Sequence, residues 1–388
     1  MSGAMPIYLD HHATTPTDPR VIEAMLPWFG QRFGNPHSVD HEWGWQAEEA
    51  VETARRQVAA LVGAEPAEII FTSGATEANN LALIGMVPAL RSLAAKRGAR
   101  RPHVVASPLE HPCVASCLKV LEQDGFAVTT LPVDGSGVID PAALRRALTP
   151  QTVLVTVIAA SHEIGTVQPL KALAALCWEA GVLLHSDAAQ AAGKVRFDAG
   201  TVNLATLSAH KIYGPKGIGA LVARGTVRRL LRPILHGGGQ EGGLRSGTVP
   251  VPLAVGFGAA AALAAENLTV EGRRLTALRA RLLAGLYAAG LDFAVNGDLD
   301  RRLPGNLSLR FAGLDAETLI ARLRGRIAIS AGAACASAER VPSSALLALG
   351  LDPAAALATI RIGLGRMTTG AEIDAAVAAF TAACREGR

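Results

Sequence analysis

The feature that most limits how this chain can fold is a polar, glycine-containing stretch between two apolar runs. Residues Ser208–Gly217 read SAHKIYGPKG and separate Val202–Leu207 from Ile218–Val222. Both runs are short and rich in residues that favour strands, which predicts two buried strands joined by a turn. The turn carries Lys211, and desolvation among apolar strands would lower the pKa of its amine. Lys211 is therefore either a candidate Schiff-base former or a lysine whose amine extends to water.

A second predicted strand ends in a carboxylate shortly before this lysine. The apolar run that begins at Gly181 ends at Asp187, and Gln190 follows it. Enzymes that use pyridoxal phosphate (PLP) need a carboxylate at the pyridine nitrogen and a lysine at the aldehyde. Asp187 and Lys211 can fill these two roles. If the chain turns helical after Asp187, Gln190 shares its face and could donate a hydrogen bond to the 3′-oxygen of PLP; otherwise it is a surface amide.

A third stretch has the layout of a phosphate-binding turn. The predicted strand Glu68–Thr72 is followed by SGAT and then by a predicted helix from Glu77. The free N–H groups and the dipole of a helix N-terminus attract an anion at such a turn. No GK[ST] follows, so this is not a Walker loop. An ordinary capped helix would explain the turn alone, but beside the lysine it assigns the PLP phosphate to Thr76 and to the backbone of Gly74 and Ala75.

Two histidines follow two further predicted strands. His111 lies just past Pro102–Ser107, and His162 lies just past Thr152–Ile158. Open α/β sheets bind ligands beyond the carboxyl ends of their strands. The sequence therefore predicts one site at one edge of a sheet, where four side chains come from four strand ends: Thr76, His111, His162 and Asp187.

These motifs and their order make the chain similar to the class V aminotransferase-type PLP enzymes, and among them to the cysteine desulfurases of the NifS/IscS kind. The resemblance covers nearly the whole chain, through Tyr8–Asp10, Ala13–Pro16, Phe33–Pro36, Phe71–Glu77, Glu110–His111, Glu163–Gly165, Ser208–Gly217, His236–Gly239, Arg245–Thr248, Cys335 and Arg361. It implies an α/β protein of the PLP-dependent transferase fold type I. Such a protein has a large domain with a mixed, mostly parallel sheet and a smaller α/β domain.

The domain boundaries are predicted from a change of pattern near residue 266. From about Glu266 a long helix rich in Arg, Leu and Ala runs to Ala289, and short strands that alternate with helices follow it. At 388 residues the chain is long enough for two domains. We expect a large PLP-binding domain at residues 15–262. Residues 1–14 and 263–388 are expected to form a small domain that carries the catalytic cysteine loop.

The resemblance implies roles for the remaining site residues. Lys211 would hold PLP, and His111 would stack on the ring and share proton transfer with Lys211. Ser208 and His210 would reach the phosphate, and Thr248 would reach the phosphate of the other subunit's PLP in a homodimer. His162 departs from the family, which has an asparagine near the PLP 3′-oxygen at this position. An imidazole can still donate one hydrogen bond, but it is bulkier and can become charged.

The substrate is assigned to three further residues. Asn35 and Arg361 would hold its carboxylate, because Arg361 interrupts an apolar run and a buried arginine needs an anionic partner. Cys335 lies among small residues that cannot bury it well. A lone cysteine is otherwise a small buried hydrophobe, but this setting and the resemblance favour a nucleophile.

The function that these residues predict is a PLP-dependent cysteine desulfurase. L-cysteine would be converted to L-alanine, and a persulfide on Cys335 would pass its sulfur to an acceptor protein. That acceptor could be an iron–sulfur scaffold or a thiolation enzyme, or it could serve DNA sulfur modification. Selenocysteine lyase or another C–S lyase stays open because of His162. A non-enzymatic docking protein with this fold is the other alternative, and the Asp187/Lys211 pair counts against it.

Composition limits the partners and the compartment. The net charge is +4, and the short basic stretch Lys96–Arg101 is the one that stands out, so we expect no direct nucleic-acid binding. The cysteines are five in number without CxxC spacing, which favours a reducing, cytoplasmic setting and structural thiols at Cys113 and Cys117 rather than a metal site. No signal peptide is expected. The apolar run Val249–Ala265 contains two prolines and predicts a buried helix rather than a membrane span.

Overall fold

The computed structural model describes residues 5–332 and 341–386, which form an α/β protein. Its strands, in chain order, are β1 (Ile7–Tyr8), β2 (Ile69–Thr72), β3 (His103–Ala106), β4 (Ala127–Thr130), β5 (Thr152–Thr156), β6 (Leu183–Asp187), β7 (Leu204–Ser208), β8 (Gly219–Ala223), β9 (Phe293–Val295), β10 (Asn306–Phe311), β11 (Ile327–Ala328), β12 (Ser330–Ala331) and β13 (Thr359–Gly363).

The helices alternate with these strands. In chain order they are α1 (Pro19–Met25), α2 (Pro27–Gly30), α3 (Glu42–Val62), α4 (Ala75–Leu83), α5 (Val87–Lys96), α6 (Pro112–Gln123), α7 (Pro141–Ala147), α8 (Leu170–Glu179), α9 (Val227–Leu230), α10 (Val251–Ala288), α11 (Ala316–Leu323), α12 (Ser344–Ala348), α13 (Pro353–Leu357) and α14 (Gly370–Arg385).

Seven of the described strands form a mixed sheet in the order β2-β8-β7-β6-β5-β3-β4. The neighbours from β7 to β4 all pair in parallel, whereas β8 runs antiparallel to both β7 and β2. Every residue of β2, β3, β5, β7 and β8 is buried. Such continuous burial is expected for strands that have helices on both faces of the sheet.

The two faces of this sheet pack against separate sets of helices. Along β2, Phe71 joins the apolar cluster that includes α3 and α10, and Ile70 joins the cluster that includes α4, α5 and α6. The same alternation holds for Val105 and Val104 in β3, because successive side chains in a strand point to opposite faces. The helices therefore cover both faces and leave the strand ends as the place where polar loops meet.

Helix α10 contributes to the apolar core of the large sheet and to that of the C-terminal strands. Its first half packs on α3, where a Cβ added to Gly258 would lie 2.6 Å from the Cα of Ala54. Its second half contributes Leu282 and Leu286 to the cluster of the C-terminal strands. By length and composition alone this helix could cross a membrane. Its packing against both clusters instead fits the buried core helix that the sequence predicts.

A smaller set of strands lies in the C-terminal part. β12, β13, β10 and β9 form an antiparallel sheet in that order, and the N-terminal β1 pairs in parallel with β11. The N-terminal segment thus lies beside the C-terminal strands, as the resemblance implies. The expected boundary between residues 262 and 263 falls inside the continuous helix α10, and the division into two domains stays a prediction.

Candidate active site

The predicted strand-end residues surround one cavity of about 680 Å³. Its size is within the range of about 300 to 1,000 Å³ that small-molecule and cofactor sites occupy. The structure brings together eleven of the predicted residues in its lining: Gly74, Ala75, Thr76, His111, His162, Asp187, Gln190, Ser208, His210, Lys211 and Arg361. The same lining includes residues that the sequence did not single out for the site: His12, Ala13, Thr14 and Cys113.

Lys211 follows β7 in a single tight turn, as predicted. Its Nζ donates hydrogen bonds to the carbonyls of His12 at 2.9 Å and Ala13 at 2.7 Å. Burial, with the Arg361 guanidinium as a second cause, lowers the pKa of this amine to about 8. A neutral, nucleophilic amine is therefore accessible close to neutral pH, as covalent chemistry with an aldehyde requires.

Asp187 ends β6 and is buried. Its Oδ2 accepts from Nδ2 of Asn79 at 2.8 Å, and its Oδ1 accepts from the backbone N–H of Ala189 at 2.9 Å. The nearby Glu110 is also buried, and burial followed by the charge of Asp187 raises the pKa of Glu110 well above its usual value. Burial and the neighbouring Asp187 therefore favour the uncharged form of Glu110.

The turn after β2 has the geometry of an anion site. Helix α4 begins at Ala75, two residues before the predicted start, and Gly74 caps it with φ near +155°. That conformation favours glycine. Gly219 of β8 packs directly against this turn, because a Cβ added there would lie 2.8 Å from the Cα of Gly74. The first N–H groups of α4 and the side chain of Thr76 border the same cavity.

His111 and His162 meet at the cavity wall. Their ring centroids are 5.1 Å apart in an edge-to-face arrangement. Burial lowers the pKa of both rings, and the proximity of His111 contributes further to the lowering at His162. Both imidazoles are therefore neutral near pH 7.

Cys113 is a site residue that the sequence reasoning missed. We expected Cys113 and Cys117 to be structural thiols, and Cys117 is indeed buried in an apolar cluster. Cys113 instead lines the cavity, with its Sγ 3.0 Å from Nδ1 of His111 and 3.2 Å from Nδ2 of Asn79. The sequence feature that could have indicated this is its place at the start of α6, two residues after the strand-end His111.

Arg361 has an anionic partner within the chain. Its Nη2 donates to Oδ1 of Asp10 at 2.8 Å, and Oδ2 of Asp10 accepts from the hydroxyl of Ser330 at 2.6 Å. The argument that a buried arginine needs an anion thus holds, but Asp10 meets that need here. A substrate carboxylate at Arg361 would share the guanidinium with Asp10.

Gln190 lines the cavity, and its amide is engaged by the protein. Its Nε2 donates to the carbonyl of His12 at 2.8 Å, and its Oε1 accepts from Nζ of Lys194 at 2.5 Å. Burial lowers the pKa of Lys194 to about 7, with the charge of Lys211 as a further cause. The predicted bond from Gln190 to the PLP 3′-oxygen stays a prediction.

Three predicted residues are not among those that line the cavity. Asn35 is exposed, and its Oδ1 accepts from the backbone N–H of His37. Thr248 is exposed in the glycine-containing loop before α10. Cys335 lies outside the described residues. The roles of all three stay predictions.

The cavity fits PLP on the evidence of its own polar atoms. Three buried nitrogens of its lining lack a hydrogen-bond partner within the described residues: Nε2 of His12, Nδ1 of His162 and Nε of Arg361. Unpartnered buried polar atoms are costly, and a bound polar group would satisfy them. With an amine of lowered pKa, a buried carboxylate and a helix N-terminus in one cavity, the donor set matches the aldehyde, pyridine nitrogen and phosphate of PLP.

Comparisons with known proteins cover almost the whole chain. The profile of the aminotransferase class-V family matches residues 7–376. The protein named cysteine desulfurase IscS from Rickettsia bellii is 48% identical over 375 residues, which are 96% of this chain and 90% of that protein. A solved structure titled NifS-like protein is 35% identical with a TM-score of 0.89, covering 97% of this chain and 99% of its own. The structure titled SspA in complex with cysteine is 36% identical with a TM-score of 0.78, covering 92% and 98%.

Proposed function

This chain belongs to the aminotransferase class-V family and has the PLP-dependent transferase fold of type I, and we propose that it acts as a cysteine desulfurase. It converts L-cysteine to L-alanine with PLP as cofactor. The observation that carries the proposal is that Lys211 and Asp187 line one cavity at the strand ends. Relatives named cysteine desulfurase, and a similar structure that contains cysteine, support the choice of substrate.

PLP would supply an electron sink for the substrate carbons when it is bound. Lys211 would hold its aldehyde carbon, and Asp187 would keep the pyridine nitrogen protonated. The phosphate would lie at the start of α4. The residues that would contact the phosphate and the 3′-oxygen are those named from the sequence: Gly74, Ala75, Thr76, Ser208, His210, His162 and Gln190.

The substrate carboxylate would bind at Arg361. Asp10 keeps the guanidinium in place through Nη2 and leaves Nη1, which makes a contact of 3.5 Å with the carbonyl of His162, to bind the carboxylate. A charge-assisted bond from arginine to a carboxylate is directional as well as strong, so it would orient the amino group of L-cysteine toward the lysine.

The sulfur transfer is assigned to Cys335. Its thiolate attacks the sulfur of L-cysteine, so an S–S bond forms while the C–S bond of the substrate breaks. The electron pair of the broken bond remains with the three-carbon fragment, which takes a proton from the Lys211 ammonium and leaves as alanine. Cys335 then carries the persulfide, which passes to an acceptor protein such as an iron–sulfur scaffold or a thiolation enzyme.

We propose that the enzyme is a cytoplasmic homodimer. Cys113, Cys117 and Cys177 are free thiols, which suits a reducing compartment. An N-terminal apolar surface around α1, α2 and the start of α3 exposes seven large side chains: Ile22, Leu26, Phe29, Phe33, Val39, Trp43 and Trp45. A second copy of this chain would cover that surface. The exposed Thr248 is then available to the other subunit's site.

The test is product analysis with L-cysteine. The PLP-loaded protein should release alanine, and mass spectrometry after brief exposure should show one added sulfur on Cys335. The Cys335→Ser variant should bind PLP and cysteine but release no alanine, because a serine hydroxyl is a poor sulfur acceptor. Pyruvate and ammonia as products would make the protein a C–S lyase, and turnover confined to L-selenocysteine would make it a selenocysteine lyase.

A further inference from the structure

The cap of α6 determines which nitrogen of His111 carries the proton. His111 is the N-cap residue, and its Nδ1 accepts the backbone N–H of Cys113 at 3.2 Å. A backbone N–H can only donate, so Nδ1 has no proton of its own in this arrangement. The neutral imidazole then carries its proton on Nε2. That atom makes no hydrogen bond to the residues that the structure describes, and the ring borders the cavity.

The side chain of Cys113 also favours an unprotonated Nδ1 on His111. Burial and the charge of Asp187 raise the pKa of Cys113 to about 12, so the group remains a thiol. Its Sγ receives a hydrogen bond from Nδ2 of Asn79 at 3.2 Å and lies 3.0 Å from Nδ1 of His111. The S–H is therefore free to donate to the same lone pair of His111 that caps the helix.

We propose that Cys113 is a positioning residue that holds His111 in the tautomer with its proton on Nε2, so that His111 meets the bound cofactor and substrate as a hydrogen-bond donor. This rests on the proposed function and limits the role in proton transfer that the resemblance implies for His111. His111 cannot accept a proton at Nδ1 without losing the helix cap, and Nε2 is already protonated. Proton transfer to and from the substrate then falls to the amine of Lys211.

A series of hydrogen bonds extends from Cys113 through Asn79 to the carboxylate of Asp187. Nδ2 of Asn79 contacts both Sγ of Cys113 and Oδ2 of Asp187. His111, expected to stack on the ring, and Asp187, expected at the pyridine nitrogen, are therefore joined through Cys113 and Asn79. Cys117 lies on the same helix but is buried in an apolar cluster, so it offers a matched control on the same element.

The charged and titratable groups around His111 act on it from several elements. Asp187 at the end of β6 favours the charged imidazole, whereas Lys211 after β7 and Arg361 on β13 oppose it. The neutral His162 ring lies at its edge. Burial is the largest influence, and the pKa of His111 is lowered as a result. Removing a hydrogen-bond donor to Nδ1 would destabilise the neutral form of the ring. The pKa of His111 would therefore rise.

The first experiment measures the tautomer directly. Full-length protein with ¹⁵N-labelled histidine is recorded near pH 8 with and without PLP, and His111→Ala identifies the His111 signals among the ten histidines. We expect Nε2 to be protonated and Nδ1 unprotonated in both forms. A proton on Nδ1 overturns the proposal. Because the apoprotein suffices, this result is separate from failure of the desulfurase activity.

The second experiment measures the acid limb of the pH profile of alanine formation. Cys113→Ala should move this limb up by about 0.5 to 1 pH unit, the shift that loss of one neutral hydrogen bond produces. Cys113→Ser keeps a donor and should restore the wild-type limb, and Cys117→Ala should leave it unmoved. In a His111→Ala background, Cys113→Ala should add no further change.

Two outcomes of the second experiment contradict the proposal. One is an acid limb that does not move in Cys113→Ala, or that moves equally in Cys117→Ala. The other is an effect of Cys113→Ala that persists without His111, since it would then act through another group. If Cys113→Ala does not fold, Cys113→Val, which also lacks a donor but leaves no cavity, takes its place.

Discussion

Lys211 is the residue on which the proposed chemistry depends most directly. Its amine lies in the cavity against two backbone carbonyls of the N-terminal motif. In Lys211→Ala we expect loss of the visible absorbance of bound PLP and at least about a thousandfold loss of turnover, as for other covalent catalysts. Lys216 is the exposed neighbour that also borders the cavity, so Lys216→Ala is the matched control. That variant should keep the absorbance of bound PLP and the turnover. Absorbance that survives in Lys211→Ala would move the assignment to another lysine.

The lowered pKa of Lys211 predicts how cofactor capture depends on pH. The neutral amine is the reactive form, and its fraction rises with pH until the pH passes the pKa of about 8. The rate at which the apoprotein takes up PLP should therefore rise about tenfold per pH unit below this value and level off above it. Stopped-flow absorbance measures the rate. A rate that still rises steeply between about pH 9 and 10 would indicate an ordinary lysine.

His162 is the one departure from the family pattern among the predicted cofactor contacts. Burial keeps its imidazole neutral, and its Nδ1 lacks a partner within the described part of the chain. His162→Asn should shift the pH dependence of the absorbance of bound PLP over about pH 6 to 9, because the group beside the ring changes. His37→Asn, at an exposed site, is the control and should match the wild type. An unchanged profile would mean that His162 does not contact the cofactor.

At the scale of elements, Glu241 connects the loop before α10 to the large sheet. Its carboxylate accepts two hydrogen bonds from Arg55 of α3 at 2.8 Å and one from the backbone N–H of Phe71 in β2 at 2.8 Å. Glu241 is buried and has a positive φ of 52°. A glycine-rich loop of this kind reads as flexible in sequence, but here one buried carboxylate holds it to two elements.

Glu241→Ala should lower the free energy of unfolding by roughly 3 to 5 kcal/mol, because it removes the buried carboxylate that pairs with Arg55 and leaves that guanidinium with the half-exposed Glu52. Glu49→Ala removes an exposed pair with Arg56 on the same helix and should cost far less, because solvent screens exposed pairs. Denaturant unfolding followed by circular dichroism measures both. Equal costs in the two variants would contradict the argument from burial.

At the scale of the whole molecule, the N-terminal apolar surface should hold the two subunits together. Phe29→Asp places a charge in that surface, where Phe29 is 63% exposed in the single chain. We expect a monomer by analytical ultracentrifugation, with weaker PLP binding because Thr248 no longer reaches a second site. Trp178→Asp changes a side chain that is 86% exposed on α8 and should leave the dimer intact. A monomeric wild type, or a dimeric Phe29→Asp variant, would place the interface elsewhere.

Much of the fold and the centre of the site follow from the sequence alone. Short apolar runs predict buried strands, and residues that follow parallel strands lie at the same edge of the sheet. That reasoning placed Thr76, His111, His162 and Asp187 around one cavity together with Lys211, and the structure brings all five there.

Contacts between distant parts of the chain were decided only by the tertiary structure. Arg361 meets Asp10 across 351 positions, and Asn79 meets Asp187 across 108, whereas local pattern specifies only the face on which each side chain lies. The inclusion of Cys113 in the site has the same cause. Its spacing to Cys117 describes a helix, but its contacts with His111 and Asn79 depend on how α4 and α6 pack over the sheet. Packing, which selects partners by shape and burial rather than by order along the chain, determined these contacts.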